Sequence, residues 1–392
     1  GAPTSTPEWD KFGYAERREV LERPIAYDEQ TRPIPRVRSA DVDAEGFYRD
    51  FASKGRPAIV EGAAAHWLAM QRWSLPALEE RFRHVDFKVG KDDDGKTLRM
   101  KFKYFADYAR HQRDDSPLYL FESTPEDNAS MRHLLDDFEV PALFPHDWLA
   151  LVNHEARPPH RWFCIGPRRS GTTVHTDPLG TSAWNAVTHG RKRWVLFEPG
   201  TPRRVAKGKD VTNKGEDNEA IMYFDFLLPR LKKANPDVRV YEGIQEPGDI
   251  IFVPGNWWHG VLNLDDCVAV TQNYVGPDNF ETVWKRCRKE REKVAHLWLR
   301  NMRKFSPNLH RRALELNREA GFRMRHERRR GERLSSASSS GESSSSDSTS
   351  DEWEDLSHAG LAGAVGPSPA VSDLEEDCGR ASKRRRFDRG EG

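Results

Sequence analysis

The chain has 392 residues, with 62 Lys+Arg against 62 Asp+Glu. The zero net charge excludes a uniformly basic or acidic protein but not opposed blocks that cancel, and the length admits two or three domains, or one β domain of about 200–250 residues with shorter flanks. Hydrophobic residues make up 36% and charged residues 32%, as expected of a folded part joined to a part too polar to bury a core; no run of about 18 apolar residues occurs, so no membrane span is predicted.

Residues 1–40 are polar and carry Pro24, Pro33 and Pro35, which predicts an extended lead-in. Residues 41–125 mix short elements into an α/β part that packs on the strand-rich region after it. Helical spacing appears over 41–53 (with Asp41 as its cap), 75–83 and 103–112, and strand patterns over 56–62, 84–90 and 116–123.

Between 126 and 280 the pattern changes. Strands are predicted over 161–167, 172–177, 182–188, 192–199, 249–254, 258–264 and 267–275, separated by Gly, Pro and Asp turns, with a long polar insert over about 200–240. Many short strands with such turns argue for a mainly β sandwich or barrel. Cys164, Cys267, Cys287 and Cys378 are scattered without CxxC spacing, which argues against a disulfide scaffold and points to a reducing compartment.

Residues 281–334 read as basic helices, with 18 Lys+Arg against 7 Asp+Glu and apolar positions at Val294, Leu297, Leu299, Met302, Leu309, Leu314 and Leu316. That face packs on the barrel or forms a homodimer, and the basic side of 323–330 contacts RNA, meets an acidic partner or is simply solvated. Residues 335–392 are expected to be a disordered tail: 11 of the 16 residues over 335–350 are Ser, and 335–378 holds 10 acids and no Lys or Arg. Lys383, Arg384, Arg385 and Arg386 form a basic cluster of the nuclear-localisation type.

The chemistry concentrates in His175, Asp177 and His259. His175 and Asp177 are two apart in a predicted strand, so their side chains leave one face. His259 lies 84 residues on, after the turn and tryptophans of Pro254-Gly255-Asn256-Trp257-Trp258. Two imidazoles and a carboxylate make a facial triad that suits Fe(II), although Zn(II) and Mn(II) accept the same donors. Alternation in 192–197 places Lys192 on one face with Trp194 and Leu196, and an ammonium on an apolar face needs an anion. Thr172, Asn185, Thr271 and Asn273 lie on neighbouring strands as hydrogen-bonding groups for a small dicarboxylate. Trp162, Tyr119, Phe121, Trp257 and Trp258 either line that pocket or belong to the core.

The segments 114–123, 161–197 and 249–274, with GTSAWNA and PGNWWH in one chain, resemble the jumonji-C oxygenases, and the resemblance runs from about residue 8 to about 300. It implies a double-stranded β-helix (jelly-roll, cupin-like) barrel and an enzyme using Fe(II), 2-oxoglutarate and O2. It assigns the metal to His175, Asp177 and His259. It assigns 2-oxoglutarate to Lys192 and Thr172, with Tyr119, Asn185 and Thr271 alongside. Within the family, the HxD pattern points to the hydroxylase branch. The resemblance implies hydroxylation of lysine side chains first and demethylation of N-methylarginine second, with substrates among Lys/Arg-rich nuclear proteins such as splicing regulators or histones. It also favours dimerisation through the C-terminal helices. The competing reading is a non-catalytic scaffold on a degenerate barrel that associates with RNA, which is expected to have lost a member of the triad or Lys192.

Overall fold

The computed structural model describes residues 9–91, 96–123 and 129–324. Its strands are β1 (Thr31–Pro33), β2 (Arg36–Arg38), β3 (Ala58–Glu61), β4 (Asp86–Lys91), β5 (Thr97–Lys101), β6 (Leu120–Glu122), β7 (Arg161–Gly166), β8 (Gly171–His175), β9 (Ser182–His189), β10 (Lys192–Phe197), β11 (Val240–Gln245), β12 (Ile250–Val253), β13 (Trp258–Asn263) and β14 (Cys267–Tyr274). From β7 onward the chain passes back and forth between two sheets. One has the order β2-β3-β12-β9-β14-β7-β6 and the other β1-β11-β10-β13-β8; β4 and β5 pair separately. The eight strands β7–β14 pair antiparallel within their sheets, four in each, which is the double-stranded β-helix. β1 and β2 join by parallel pairing to β11 and β3.

Both faces of the small sheet are covered, so its strands read as nearly continuous apolar runs. On β10, Trp194 and Leu196 turn into the barrel with Ile251, Val253 and Val261. Val195 and Phe197 turn outward onto Ile221, Tyr223, Leu227 and Leu231 of the segment between β10 and β11. That segment is therefore not a polar insert. It holds helices at Arg203–Ala206, Ala220–Met222 and Leu228–Ala234, with a π-helical turn over Tyr223–Leu227. The large sheet buries its outer face against helices Ala44–Asp50, Leu75–Phe82 and Phe102–His111 through Phe47, Leu78, Phe102, Phe105 and Phe252.

Three further expectations are corrected. Asp43, not Asp41, caps the helix Ala44–Asp50, accepting from the Gly46 N–H; Asp41 pairs with Arg38 instead. Residues before 40 are more than a lead-in: besides β1 and β2, the Phe12 and Tyr14 N–H groups donate to Asp115, while the Tyr14 hydroxyl, Arg17 and Arg23 converge on Asp225 of the π-helical turn. β11 is absent from the predicted strands, because Glu242 and Gly243 break its apolar alternation. Glu242 is nonetheless fully buried, held by Arg193 and Lys232, and a buried carboxylate is tolerated only with such partners.

The basic segment folds into helices Phe280–Glu290, Glu292–Phe305 and Pro307–Glu319. Their apolar sides close on one another and on Leu149, Val152 and Leu179 through Trp284, Trp298, Met302 and Leu316. The Trp298 indole N–H donates to the Trp148 carbonyl and the Asn301 amide to that of Leu151, tying the helices to the barrel. No helix of the described residues is long and apolar enough to cross a membrane. The Ser-rich and acidic tail, the basic cluster at 383–386, Cys378 and most of 323–330 lie outside the described residues.

Candidate metal centre and ligand cleft

β8 ends at His175, so Asp177 is not within a strand as expected. It is the residue entering the turn Pro178–Gly180, at φ −67° and ψ 146°. This extended backbone preserves the two-residue alternation past the end of pairing. His259, the second residue of β13, sits directly opposite His175. A β-bulge follows: β8 takes one more residue than β13 before Thr172 faces Val261. Bulges of this kind re-aim side chains beside functional sites. Gly260 makes the bulge possible, since a Cβ there would lie 2.8 Å from Val174 Cγ2. The result is a cluster in which one donor atom from each of His175, Asp177 and His259 lies within 4.8 Å of the others. The two imidazole centroids are 4.2 Å apart, and His259 Nε2 is 3.9 Å from Asp177 Oδ1.

The donors are prepared for a cation. His175 Nδ1 is 2.7 Å from the Thr173 carbonyl and His259 Nδ1 is 3.1 Å from that of Trp257. A carbonyl only accepts, so each Nδ1 carries the proton and each Nε2 lone pair is left for a metal, the usual second anchor of a ligating histidine. Burial and the neighbouring His259 hold His175 well below the ordinary imidazole range, which keeps it neutral. Burial pushes Asp177 up, opposed by His259 and a hydrogen bond from Asn273. Asp177 Oδ2 is buried without a hydrogen-bond partner. Two imidazoles anchored through Nδ1 beside a desolvated carboxylate oxygen fit a divalent cation of the Fe(II), Mn(II) or Zn(II) class.

The cleft continues inward from these donors, with a cavity volume of about 60 Å³. At its depth lies Lys192, 1% exposed. Its ammonium donates to the Tyr119 hydroxyl at 3.0 Å, and among the described residues no carboxylate pairs with it. Burial keeps the Tyr119 phenol protonated and pushes the adjacent Cys164 thiol up to about 12, so neither supplies a negative charge. A buried ammonium without an anion is costly, and the cleft supplies the place for one. Thr172 Oγ1 and Asn185 Oδ1 are also buried without partners and line the same cleft. Across the large sheet, Trp162, Thr271 and Asn185 stand in register on β7, β14 and β9, forming one rung of the cleft floor. The Thr271 hydroxyl already donates to the Trp184 carbonyl, so toward the cleft it only accepts.

All eight predicted site residues, His175, Asp177, His259, Thr172, Lys192, Asn185, Tyr119 and Thr271, line this one cleft, as do Asn273, Phe121 and Trp162. Trp257 and Trp258 do not. Trp257 points toward Tyr241 and donates to the Gly55 carbonyl, and Trp258 packs outside the small sheet and donates to that of Thr201. Ala183, Trp194, Val261, Val253 and Pro178 complete the lining, and sequence reasoning misses Val253 and Pro178. Their position just before a Pro-Gly turn and just after Asp177 is the signal that could have found them.

The family described as "Cupin-like domain" matches residues 44–280. The chain is 39% identical over 303 residues to "Bifunctional arginine demethylase and lysyl-hydroxylase psr-1" of Caenorhabditis briggsae, covering 77% of this chain and 75% of that protein. It is 34% identical over 261 residues to "Arginine-specific demethylase JMJ22" of Arabidopsis thaliana, covering 66% and 49%. It is 28% identical over 279 residues to human "2-oxoglutarate and iron-dependent oxygenase JMJD4", covering 62% of each.

Proposed function

The chain belongs to the cupin-like family of jumonji-C oxygenases, and from that premise we propose that it is an Fe(II)- and 2-oxoglutarate-dependent oxygenase that hydroxylates lysine side chains of basic proteins, with N-methylarginine as a second substrate. The observation that carries this is the cleft itself: three metal-type donors at one end and an unneutralised buried lysine at the other. A barrel serving only as a scaffold needs neither.

In this reading His175 Nε2, Asp177 and His259 Nε2 hold the metal. Lys192 and the Tyr119 hydroxyl meet the remote carboxylate of 2-oxoglutarate, Thr172 donates its unpaired hydroxyl to the same molecule, and Asn185 and Thr271 stand beside it. When bound, iron and 2-oxoglutarate supply the oxidising power, with O2 consumed and succinate and CO2 released. The protein contributes position and dryness. The Nδ1 bonds to Thr173 and Trp257 fix both imidazole rings. Trp194, held by its N–H to Gln245, walls one side, and Phe121 and Trp162 wall another. Orientation and exclusion of water confine oxidation to the C–H bond presented at the mouth. The same cleft serves a lysine methylene, giving hydroxylysine, or an N-methyl group, which leaves as formaldehyde after hydroxylation.

The substrates proposed are nuclear Lys/Arg-rich proteins of the splicing-regulator or histone kind, reached through the basic cluster at 383–386. A homodimer using the exposed Phe305 and Leu314 of the C-terminal helices, and RNA contact through their basic outer side, belong to the same proposal.

Mass spectrometry of unmethylated and arginine-methylated Lys/Arg-rich peptides, with Fe(II), 2-oxoglutarate and ascorbate, tests the reading. Gain of one oxygen on lysine supports the hydroxylase, and loss of one methyl from methylarginine supports the demethylase. Succinate formation equal in wild type and His175→Ala removes the metal assignment.

A further inference from the structure

A second cavity lies apart from the metal cleft and is larger than it. It measures about 370 Å³ and lies on the outer side of the large sheet, where β14 ends. Its walls include Glu45, Tyr48, Phe144, His146, Tyr274 and Asp278. Four buried carboxylates elsewhere hold cations: Asp137 takes Arg72 and Arg81, Asp225 takes Arg17 and Arg23, Asp249 takes Arg36, and Glu242 takes Arg193 and Lys232. Asp278, like Glu219, is held by a serine hydroxyl and by no described cation. The Ser182 hydroxyl donates to its Oδ2 at 2.7 Å, and no described lysine or arginine pairs with it. Burial raises its pKa, opposed mainly by the hydrogen bond from Ser182. Glu45 also lines the cavity and makes no described ion pair, the nearby Arg49 being paired with Asp50, and Tyr48 beside it is 40% exposed. Two carboxylates without cations, set among aromatic rings, form a surface complementary to an ammonium or guanidinium.

The cavity and the metal cleft share a wall. Asn273 lines the cleft and the next residue, Tyr274, lines the cavity. On β9, Ala183 lines the cleft while its neighbour Ser182 bonds Asp278. The two therefore lie on opposite faces of the same strand ends. Stacked sheets lie about 10 Å apart, and about three extended residues span a distance of that order.

We propose that this cavity is the subsite for a lysine or arginine side chain of the substrate, about three residues from the one being oxidised, with Asp278 and Glu45 as its counter-charges and Tyr48 as its aromatic wall. The inference rests on the reading of the chain as an oxygenase of basic proteins and makes that reading more specific: the enzyme selects clustered basic residues rather than a single lysine.

The test uses the full chain and fluorescein-labelled peptides that carry one central lysine, flanked either by Lys/Arg or by Gln. Binding is read by anisotropy and oxidation by mass spectrometry, for wild type, Glu45→Gln and Asp278→Asn. Wild type is expected to bind the basic-flanked peptide about tenfold more tightly, as a desolvated charge pair allows. Each variant is expected to lose most of that preference while succinate formation without peptide stays unchanged. Glu45→Gln is on an exposed helix surface and breaks no described bond, so it reads the subsite even where Asp278→Asn disturbs Ser182. An undiminished preference in both variants, or no preference in wild type, overturns the subsite. Flank-dependent binding that the variants lose, with no peptide oxidised, keeps the subsite and removes the oxygenase substrate reading instead.

Discussion

The Lys192 ammonium donates to the Tyr119 hydroxyl across 3.0 Å, joining the first residue of β10 to the residue preceding β6 across the barrel interior. Lys192 is 1% exposed, and its partner is a neutral phenol held in the protonated form by burial. The charge is thus stabilised by a hydrogen bond but not neutralised, a state that a bound dicarboxylate relieves.

Lys192→Met is therefore expected to weaken 2-oxoglutarate binding by about 100-fold, the scale of a lost desolvated charge pair. Tyr119→Phe, which removes only one hydroxyl, weakens it by about tenfold. Titration of 2-oxoglutarate against succinate formation measures both. Lys192→Met is also expected to leave the ligand-free melting temperature unchanged or raise it, since an unpaired buried charge has been removed. A large fall in that temperature places the role of Lys192 in folding rather than binding.

His175→Ala is expected to abolish succinate formation and, independently, the stabilisation that metal gives. A cation that binds only the folded protein raises its stability by about 2.7 kcal/mol at 100 times its dissociation constant. Differential scanning fluorimetry with and without Fe(II) or Mn(II) should show that increment in wild type and not in His175→Ala.

Gly171 opens β8 opposite Leu262, and a Cβ there would fall 1.9 Å from the Val261 carbonyl oxygen. Gly171→Ala therefore forces β8 away from β13, at a cost of about 1–3 kcal/mol or more for overpacking. Because the same pairing sets His175 against His259, metal affinity should fall together with the melting temperature. A stable variant that binds metal normally shows that the two strands separate more freely than their contact implies.

Glu219 accepts a hydrogen bond from Ser116 at 3.0 Å, and burial, with Asp217 nearby, raises its pKa from 4.5 to about 7. A carboxyl with a raised folded-state pKa binds its proton more tightly when folded, so stability falls as pH rises from about 4.5 to about 7 and levels off above. The loss amounts to roughly 1–3 kcal/mol after allowance for the partial exposure of the residue. Glu219→Gln should flatten that segment of the melting-temperature profile between pH 5 and 7.5 relative to wild type; a parallel profile in the variant assigns the slope to another group.

Much of this site is legible in the sequence because it obeys local rules. Period-two alternation puts Lys192 with Trp194 and Leu196, and two-residue spacing joins His175 to Asp177 although the strand ends between them. What escapes is decided by partners far along the chain. β11 is concealed by Glu242, whose burial makes sense only beside Arg193 and Lys232. Trp257 and Trp258 are adjacent to a metal donor in sequence, yet alternation and the turn send both away from the cleft. One miss is local: the cap of the helix Ala44–Asp50 falls to Asp43, whose side chain meets the Gly46 N–H three residues on.

The sequence by itself determined which residue types were available, the strand alternation that gives them a common face, and the family to which they belong. It could not determine distance, since no local pattern spans the 84 positions between His175 and His259. That proximity is set by the register of β8 against β13, with the bulge that Gly260 admits. Likewise, Asp278 and Glu45 are ordinary acidic residues until the ends of β9 and β14 bring a second cavity up to the wall of the first. Hydrogen bonding between strands remote in sequence fixes these relations, and it is a property of the whole folded barrel.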